Sequence, residues 1–312
     1  MINRVMVRTR VVQTLFAHSQ TDGQTLLSAR KELLKSFSGI YSLYMVYLEF
    51  VNALTDYAEL QLADECARAR AMHRDIHPNH RFVENKFAQQ VFQNRALRKY
   101  IEEQHLSWEA GFSAVEEAYR LLVENASYQE YMQAESVSYE DDKRIWRKIF
   151  TEIIPAVTGL ESALEEMEVA SDNSCWTVDA DVVLSYVIKT VKHFAEEQGN
   201  DQPLLEMFDN ESELQFGLDL LHYAIEQNDE NMALVNEHLK NWQIDRVALM
   251  DKIILNAALT EIRCFAEIPL QVTMNEYLEI AKEYSSEKSY VFINGILDEI
   301  VKQLRKDNKI FK

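Results

Sequence analysis

Seven glycines and four prolines in 312 residues are what most limits how this chain can fold. β-Sandwiches and doubly wound α/β folds turn about every ten residues, and their turns draw on Gly, Pro, Asn and Asp. So small a supply leaves long helices joined by few loops. With 47% apolar residues the chain can bury a sizeable core. The expected class is all-α.

Helical periodicity runs through most of the sequence. One apolar-periodic run extends from Ser36 to Met72. The segment "RDIHPNHRFVENKF" ends it, because Pro78 disfavours helix at His77. Helices resume over 92–104, and Ser107 is the expected N-cap of the next one. Later helices are expected over 139–169, 178–197, 211–227, 230–240, 244–265, 274–284 and 287–305.

An internal repeat is suggested by "CWTVDADVVLSYVIKTV" and "NWQIDRVALMDKIILNA", which superpose with Trp176 on Trp242, Val178 on Ile244 and Asp179 on Asp245. Two readings stay open. Either the segment is duplicated, or the chain uses twice a loop tryptophan followed by an aspartate N-cap.

A net charge of −19 argues against nucleic acid, but its distribution argues otherwise. Residues 1–35 carry six Lys/Arg against two acids, 66–100 eight against two, and 302–312 five against one. An acidic body with three basic patches can hold RNA locally. In the second patch Arg, Phe and Asn interleave, which is compatible with RNA binding. The competing reading is that its charges neutralise the acidic segment 101–170 within the molecule.

Other chemistries find little support. His73, His77 and His80 are spaced like metal ligands, but Pro78 breaks their common face and no nearby Glu completes a ligand set. No metal or other cofactor is expected. Cys66, Cys175 and Cys264 lie too far apart for a zinc ribbon or disulfide framework, which suits a reducing cytoplasm. No run approaches the roughly 20 apolar residues that span a bilayer, and the arginine-studded start is no secretory signal. A cytoplasmic protein without membrane contact is expected. There is no Gly-rich phosphate loop, nucleophile motif or HExxH, so no enzyme is expected.

The stretch "SYVFINGILDEI" contains Asn-Gly, a strong hairpin signal. On a helical wheel, however, Phe292, Ile293, Ile296, Leu297 and Ile300 share one arc, opposite Val291, Asn294, Gly295 and Asp298. Strand alternation would scatter the isoleucines over both faces. The segment reads as a helix, in which a glycine costs about 1 kcal/mol against alanine. Either a neighbouring helix packs closely at Gly295, or a ligand approaches there, and Phe292 at the border would suit a nucleic acid base.

These residues carry a resemblance. "VTMNEYLEIAKEYSSEKSYVFINGILDEI" resembles the C-terminal signature of the NusB family of transcription antitermination factors, through Asn275, Glu276, Ala281, Lys282, Ser289, Phe292, Asn294, Gly295, Leu297 and Asp298. "WQIDRVALMDKIILNAALTEIRCFAEIP" is similar to the family's central helix, and "RTRVVQTLFAH" to its first. The resemblance covers about 1–20 and 208–305. Residues 21–207 have no counterpart in compact family members. Three parts are therefore expected: a first helix of the NusB-like bundle (1–20), an inserted helical region (21–207) and the main NusB-like helical domain (208–312).

The resemblance implies an all-helical, non-enzymatic protein that pairs with NusE, a small-subunit ribosomal protein. It implies binding to the boxA element of ribosomal RNA transcripts, within a complex that keeps RNA polymerase from terminating. By match, Arg4, Arg8, Gln13, Phe292, Asn294, Gly295 and Asp298 form the RNA surface. Val5 and Met6 stand where the family often has further arginines, and Arg10 is the candidate that compensates. Phe16 and Glu261 correspond to the NusE contact. The alternative is a helical protein–protein adaptor on the same scaffold, with little RNA binding.

Overall fold

The computed structural model describes all residues except 22, 76, 172–175, 240–243 and 311–312. Among the described residues every regular element is helical, and the β-type pairing is an isolated parallel bridge between Ile2 and Phe208. In chain order the α-helices are α1 (Arg4–Gln20), α2 (Leu26–Ala71), α3 (Lys86–Phe92), α4 (Arg95–Gln104), α5 (Phe112–Glu124), α6 (Ala126–Gln133) and α7 (Tyr139–Lys148). Then follow α8 (Leu160–Ala170), α9 (Trp176–His193), α10 (Glu211–Glu226), α11 (Asn228–Glu237), α12 (Leu249–Cys264), α13 (Leu270–Tyr284) and α14 (Glu287–Lys306). No helix among the described residues is long and apolar enough to cross a membrane.

Contacts divide the chain into two compact units, Met1–Phe37 with Met207–Lys312, and Ser38–Glu206. The division falls inside α2, because the helix begins at Leu26, ten residues ahead of the apolar run that announces it. The first unit is left at Phe37 and re-entered at Met207, and these points adjoin, with the rings of Phe37 and Phe208 edge to face at 5.3 Å.

In the first unit α12 is the central helix. Ile254, Leu255, Ala257, Ala258 and Leu259 are all fully buried, so apolar side chains cover every face and no solvent side remains. α1, α10, α11, α13 and α14 pack around it. In the second unit Trp146 is fully buried and stacks on Phe82 at 5.3 Å, with Phe87 and Phe150 beside it. Asparagine side chains start several of the short helices, Asn85 accepting from the Ala88 amide at 2.9 Å and Asn94 from the Leu97 amide at 3.0 Å.

Three expectations about helix limits need correction. The helix expected over 139–169 is interrupted, since Pro155 supplies no amide hydrogen and crowds the preceding turn. The chain there widens into a π turn at Ile149–Ile153 and tightens into a 3-10 turn at Ile154–Ala156 before α8. Ser107 is not an N-cap: α5 starts five residues later behind Gly111, and residues 108–111 form a bend and a turn. Nor do the paired aspartates cap helices. Asp179 lies within the first turn of α9, and Asp245 in a 3-10 turn ahead of α12, whose N-cap is Ala248. Trp242, the second tryptophan of the suggested repeat, lies outside the described residues, as does Cys175.

Candidate nucleic-acid interface

The N-terminal arginines are placed by how closely α1 meets α10. At Gly217 of α10 a Cβ would lie 2.8 Å from Val7 Cγ1 and 3.4 Å from Phe37 Cζ, a contact only glycine permits. This approach buries Val7, Val11, Val12 and Leu15 and carries Arg8 inside with them. Arg8 is 2% exposed; its Nε and Nη2 donate to the two carboxylate oxygens of Glu261 at 2.8 and 2.9 Å. Glu261, wholly buried, also accepts from Thr273 Oγ1 at 2.7 Å and from the Tyr277 hydroxyl at 3.2 Å. Burial works against the Arg8 charge, but the hydrogen bonds and negative charge of Glu261 outweigh it, and the guanidinium holds its proton above the ordinary range. Burial first, and then the charge of Glu261, push the Tyr277 phenol well above its usual value.

Two expected assignments change accordingly. Arg8 presents no guanidinium to a phosphate, and Glu261 presents no carboxylate to a partner protein; each is the other's buried counter-charge. Arg10 is likewise 3% exposed, with Nη1 donating to Gln13 Oε1 at 2.7 Å, so it does not stand in for the missing surface arginines. Gln13 is half-buried and donates to the Tyr284 hydroxyl at 3.1 Å, linking α1 to the end of α13. Arg4 keeps partial exposure while bonded to Glu213 at 3.2 Å and lying 5.1 Å over the Phe216 ring. Phe16 is 36% exposed, unusual for so large an apolar side chain on this helix.

α14 is held differently. Its start is tied to α12 through Asp251, which accepts from Ser285 Oγ at 2.5 Å and from Ser289 Oγ at 3.0 Å. The signature serine, Ser289, is thus a buried anchor. Ile293, Ile296, Leu297 and Ile300 turn inward, as the wheel predicts. Phe292, Asn294 and Asp298 are half-buried at the border, and Gly295 is exposed. A Cβ at Gly295 would meet nothing within 4 Å, so close helix packing does not account for this glycine.

The exposed face of α14 also carries two lysines not singled out from sequence. Lys288 and Lys302 are exposed and lie seven residues to either side of Gly295, two turns away on the same helical stripe. Their signal was that spacing, which a search for arginine runs passes over. Nearby, the Lys282 ammonium sits 4.7 Å over the Tyr290 ring. The site residues therefore fall into two environments, α1 within the core and α14 with one face open to solvent.

In the second unit the basic stretch divides as well. Lys86 pairs with Glu196 at 3.1 Å, Arg95 with Asp201 at 3.0 Å, Arg98 with Glu49, and Lys99 with Glu103 at 3.9 Å. Charge is neutralised within the molecule, but mostly by acids outside 101–170. Arg70 and Arg74 are exposed. Among the described residues no group of three or more His, Cys, Asp or Glu is placed to hold a metal.

Comparison with known proteins supplies relatives. The family model described as the NusB family matches residues 176–302, a span that starts in α9 and not at 208. The transcription antitermination protein NusB of Geobacter sulfurreducens is 40% identical over 112 residues, covering 34% of this chain and 81% of that protein. That of Finegoldia magna is 38% identical over 99 residues, 32% of this chain and 71% of the relative. For that of Koribacter versatilis the values are 38% over 94 residues, 30% and 64%, so the chain spans a little under two thirds of this relative's length. No solved structure matches.

Proposed function

Because the chain belongs to the NusB family, whose members are non-enzymatic transcription antitermination factors, we propose that it is itself an antitermination factor. In this reading it pairs with NusE and binds boxA-type RNA of ribosomal RNA transcripts, within the complex that carries RNA polymerase past terminators. The observation that carries the reading is the open face of α14. Gly295 leaves a gap in the side-chain cover at which a base edge or ribose can approach the helix. Asn294 and Asp298 offer amide and carboxylate groups to base edges, and Phe292 a ring for stacking. Lys288 and Lys302 would position the strand through its phosphates. The exposed ring of Phe16 supports a NusE contact on α1, while Glu261 acts from within by holding Arg8. The chain after α1, to about residue 175, is an addition to the family fold.

A second reading, a helical protein–protein adaptor with little RNA affinity, is favoured by one observation: burial removes Arg8 and Arg10 from the RNA surface. Titrating boxA-type RNA with and without NusE separates the two. The RNA reading expects weak binding alone and tighter binding with NusE. With three or four phosphates contacted, log K should fall with log salt at a slope of about −2 to −3. No binding even with NusE present would leave the adaptor.

A further inference from the structure

The unit formed by Ser38–Glu206 holds a second place suited to unpaired RNA. The chain between α2 and α3 is pinned onto α6 at two points. Asn79 Nδ2 donates to the Met132 carbonyl at 2.8 Å and Arg81 Nη1 to the Tyr131 carbonyl at 2.6 Å. Both are carbonyls of the last turn of α6, which have no acceptor role within the helix. The pinned segment thereby becomes a wall, and against α2, α5 and α6 it bounds a cavity of about 300 Å³. Tyr119, Tyr128, Phe82 and Met132 line it, with the exposed His77 beside Pro78. That size lies at the small end of ligand pockets, about 300–1,000 Å³, and suits one planar ring system.

Cationic residues stand on either side of the cavity-lining positions in the sequence. Along α2, Arg68 and Arg70 follow Leu62 and Glu65 of the cavity wall, and Arg74 stands just past the helix end. Arg68 is shared with Asp64 at 3.5 Å, whereas no carboxylate among the described residues lies within 4.0 Å of Arg70 or Arg74. Across Pro78, His80 and Arg81 line an open groove of about 640 Å³ that shares His77, Pro78 and Asn79 with the cavity. Glu65, Glu84 and Asp142 are the acids on these walls, and the stretch 66–100 beside them carries eight Lys/Arg against two acids, Asp75 and Glu84. An aromatic recess crossed by a cationic path is the arrangement that holds single strands, bases on rings and phosphates on arginines. A neutral or basic peptide would gain little from the cations.

We propose that this cavity and its flanking arginines bind a single-stranded RNA segment, one base seated against Tyr119 and Tyr128 and adjoining phosphates on Arg70 and Arg74. The inference stands apart from the α14 reading, since it uses none of the same residues. The test uses the full chain and an unstructured, uridine-rich RNA of about 20 nucleotides, long enough for more than one contact patch. The RNA carries 5-iodouridine for photo-crosslinking and peptide mapping. Crosslinks are expected at Tyr119 or Tyr128. The double variant Arg70→Gln/Arg74→Gln should bind about tenfold more weakly at low salt, with a salt slope shallower by about 1.4, or 0.7 for each lost phosphate contact. Its melting temperature should not move, because neither side chain is buried; Tyr119→Leu, which keeps the bulk and loses the aromatic face, should lower crosslinking at this site. Absence of either the crosslink or the affinity change overturns the proposal and leaves the cavity to a protein ligand. Crosslinks confined to α14 overturn it too while supporting the α14 reading, and crosslinks confined to this cavity support it and leave the α14 reading to the titration with NusE.

Discussion

α1 and α14 are the two helices whose residues match the family's RNA surface, and they differ in almost every physical respect. α1 is closed in by α10 and α12, and two of its three arginines, Arg8 and Arg10, end in bonds to Glu261 and Gln13. α14 buries the arc of Ile293, Ile296, Leu297 and Ile300, with Ser289, Val301 and Leu304, and leaves Gly295 in open space. The two helical glycines that set these environments are opposites as well. Gly217 exists for a packing contact, with Val7 where its side chain would be, whereas a side chain at Gly295 would meet nothing within 4 Å. A charged or small residue in a motif therefore does not announce its environment. What decides is whether another helix arrives with a counter-charge or a complementary surface.

The comparison can be broken most decisively at Arg8. Arg8→Ala leaves the Glu261 carboxylate buried without its counter-charge and should cost about 3–5 kcal/mol, read from chemical denaturation. Replacing both partners, Arg8→Met with Glu261→Leu, should restore much of that loss. If Arg8→Ala instead leaves stability unchanged and lowers RNA affinity alone, α1 belongs with α14 as a surface.

Next in size is Gly217→Ala. The added methyl overpacks against Val7 and should cost about 1–3 kcal/mol, visible as a lower melting temperature. An unchanged melting temperature would mean that α1 and α10 separate easily, and that the burial of Arg8 is not enforced from this side.

On α14 the effects should move to binding. Asn294→Ala is expected to weaken boxA-type RNA by roughly tenfold, the worth of one or two hydrogen bonds, while helicity by circular dichroism holds. Lys302→Gln should reduce the salt slope by about 0.7. Equal affinities for both variants and the parent would remove the α14 face from the RNA reading.

The smallest stability change is expected at Gly295. With nothing within 4 Å of the new methyl, Gly295→Ala should leave stability unchanged or raise it by up to about 1 kcal/mol, since alanine is the better helix former. RNA affinity should nonetheless fall, because the methyl stands in the approach path. A destabilised variant that binds normally would contradict the open-space reading.

Much of the architecture was legible from local pattern. The poverty in Gly and Pro pointed to helices, and the Ile293, Ile296, Leu297 and Ile300 spacing identified the buried side of α14 and overruled the Asn-Gly hairpin signal. These properties repeat along the chain every 3.6 residues, so a short window contains them. Pro155 was in view too, and its interruption of 139–169 follows from the missing amide hydrogen. Ser107 misled because serine is favoured at N-caps without being confined to them.

The site shows where local pattern stops. That α14 has a polar face bearing Asn294, Gly295 and Asp298 follows from the order of residues in one helix. That Arg8 is a core residue does not, because its partner Glu261 lies 253 positions away, and only folding brings Thr273 and Tyr277 to the same carboxylate. An arginine near a chain start looks like a solvated charge until a counter-ion, two further donors and a glycine-permitted helix crossing are assembled around it. Helix identity and amphipathic phase are short-range properties, settled by dihedral preference and periodicity. Burial of charge is a long-range one, settled by which distant groups satisfy it.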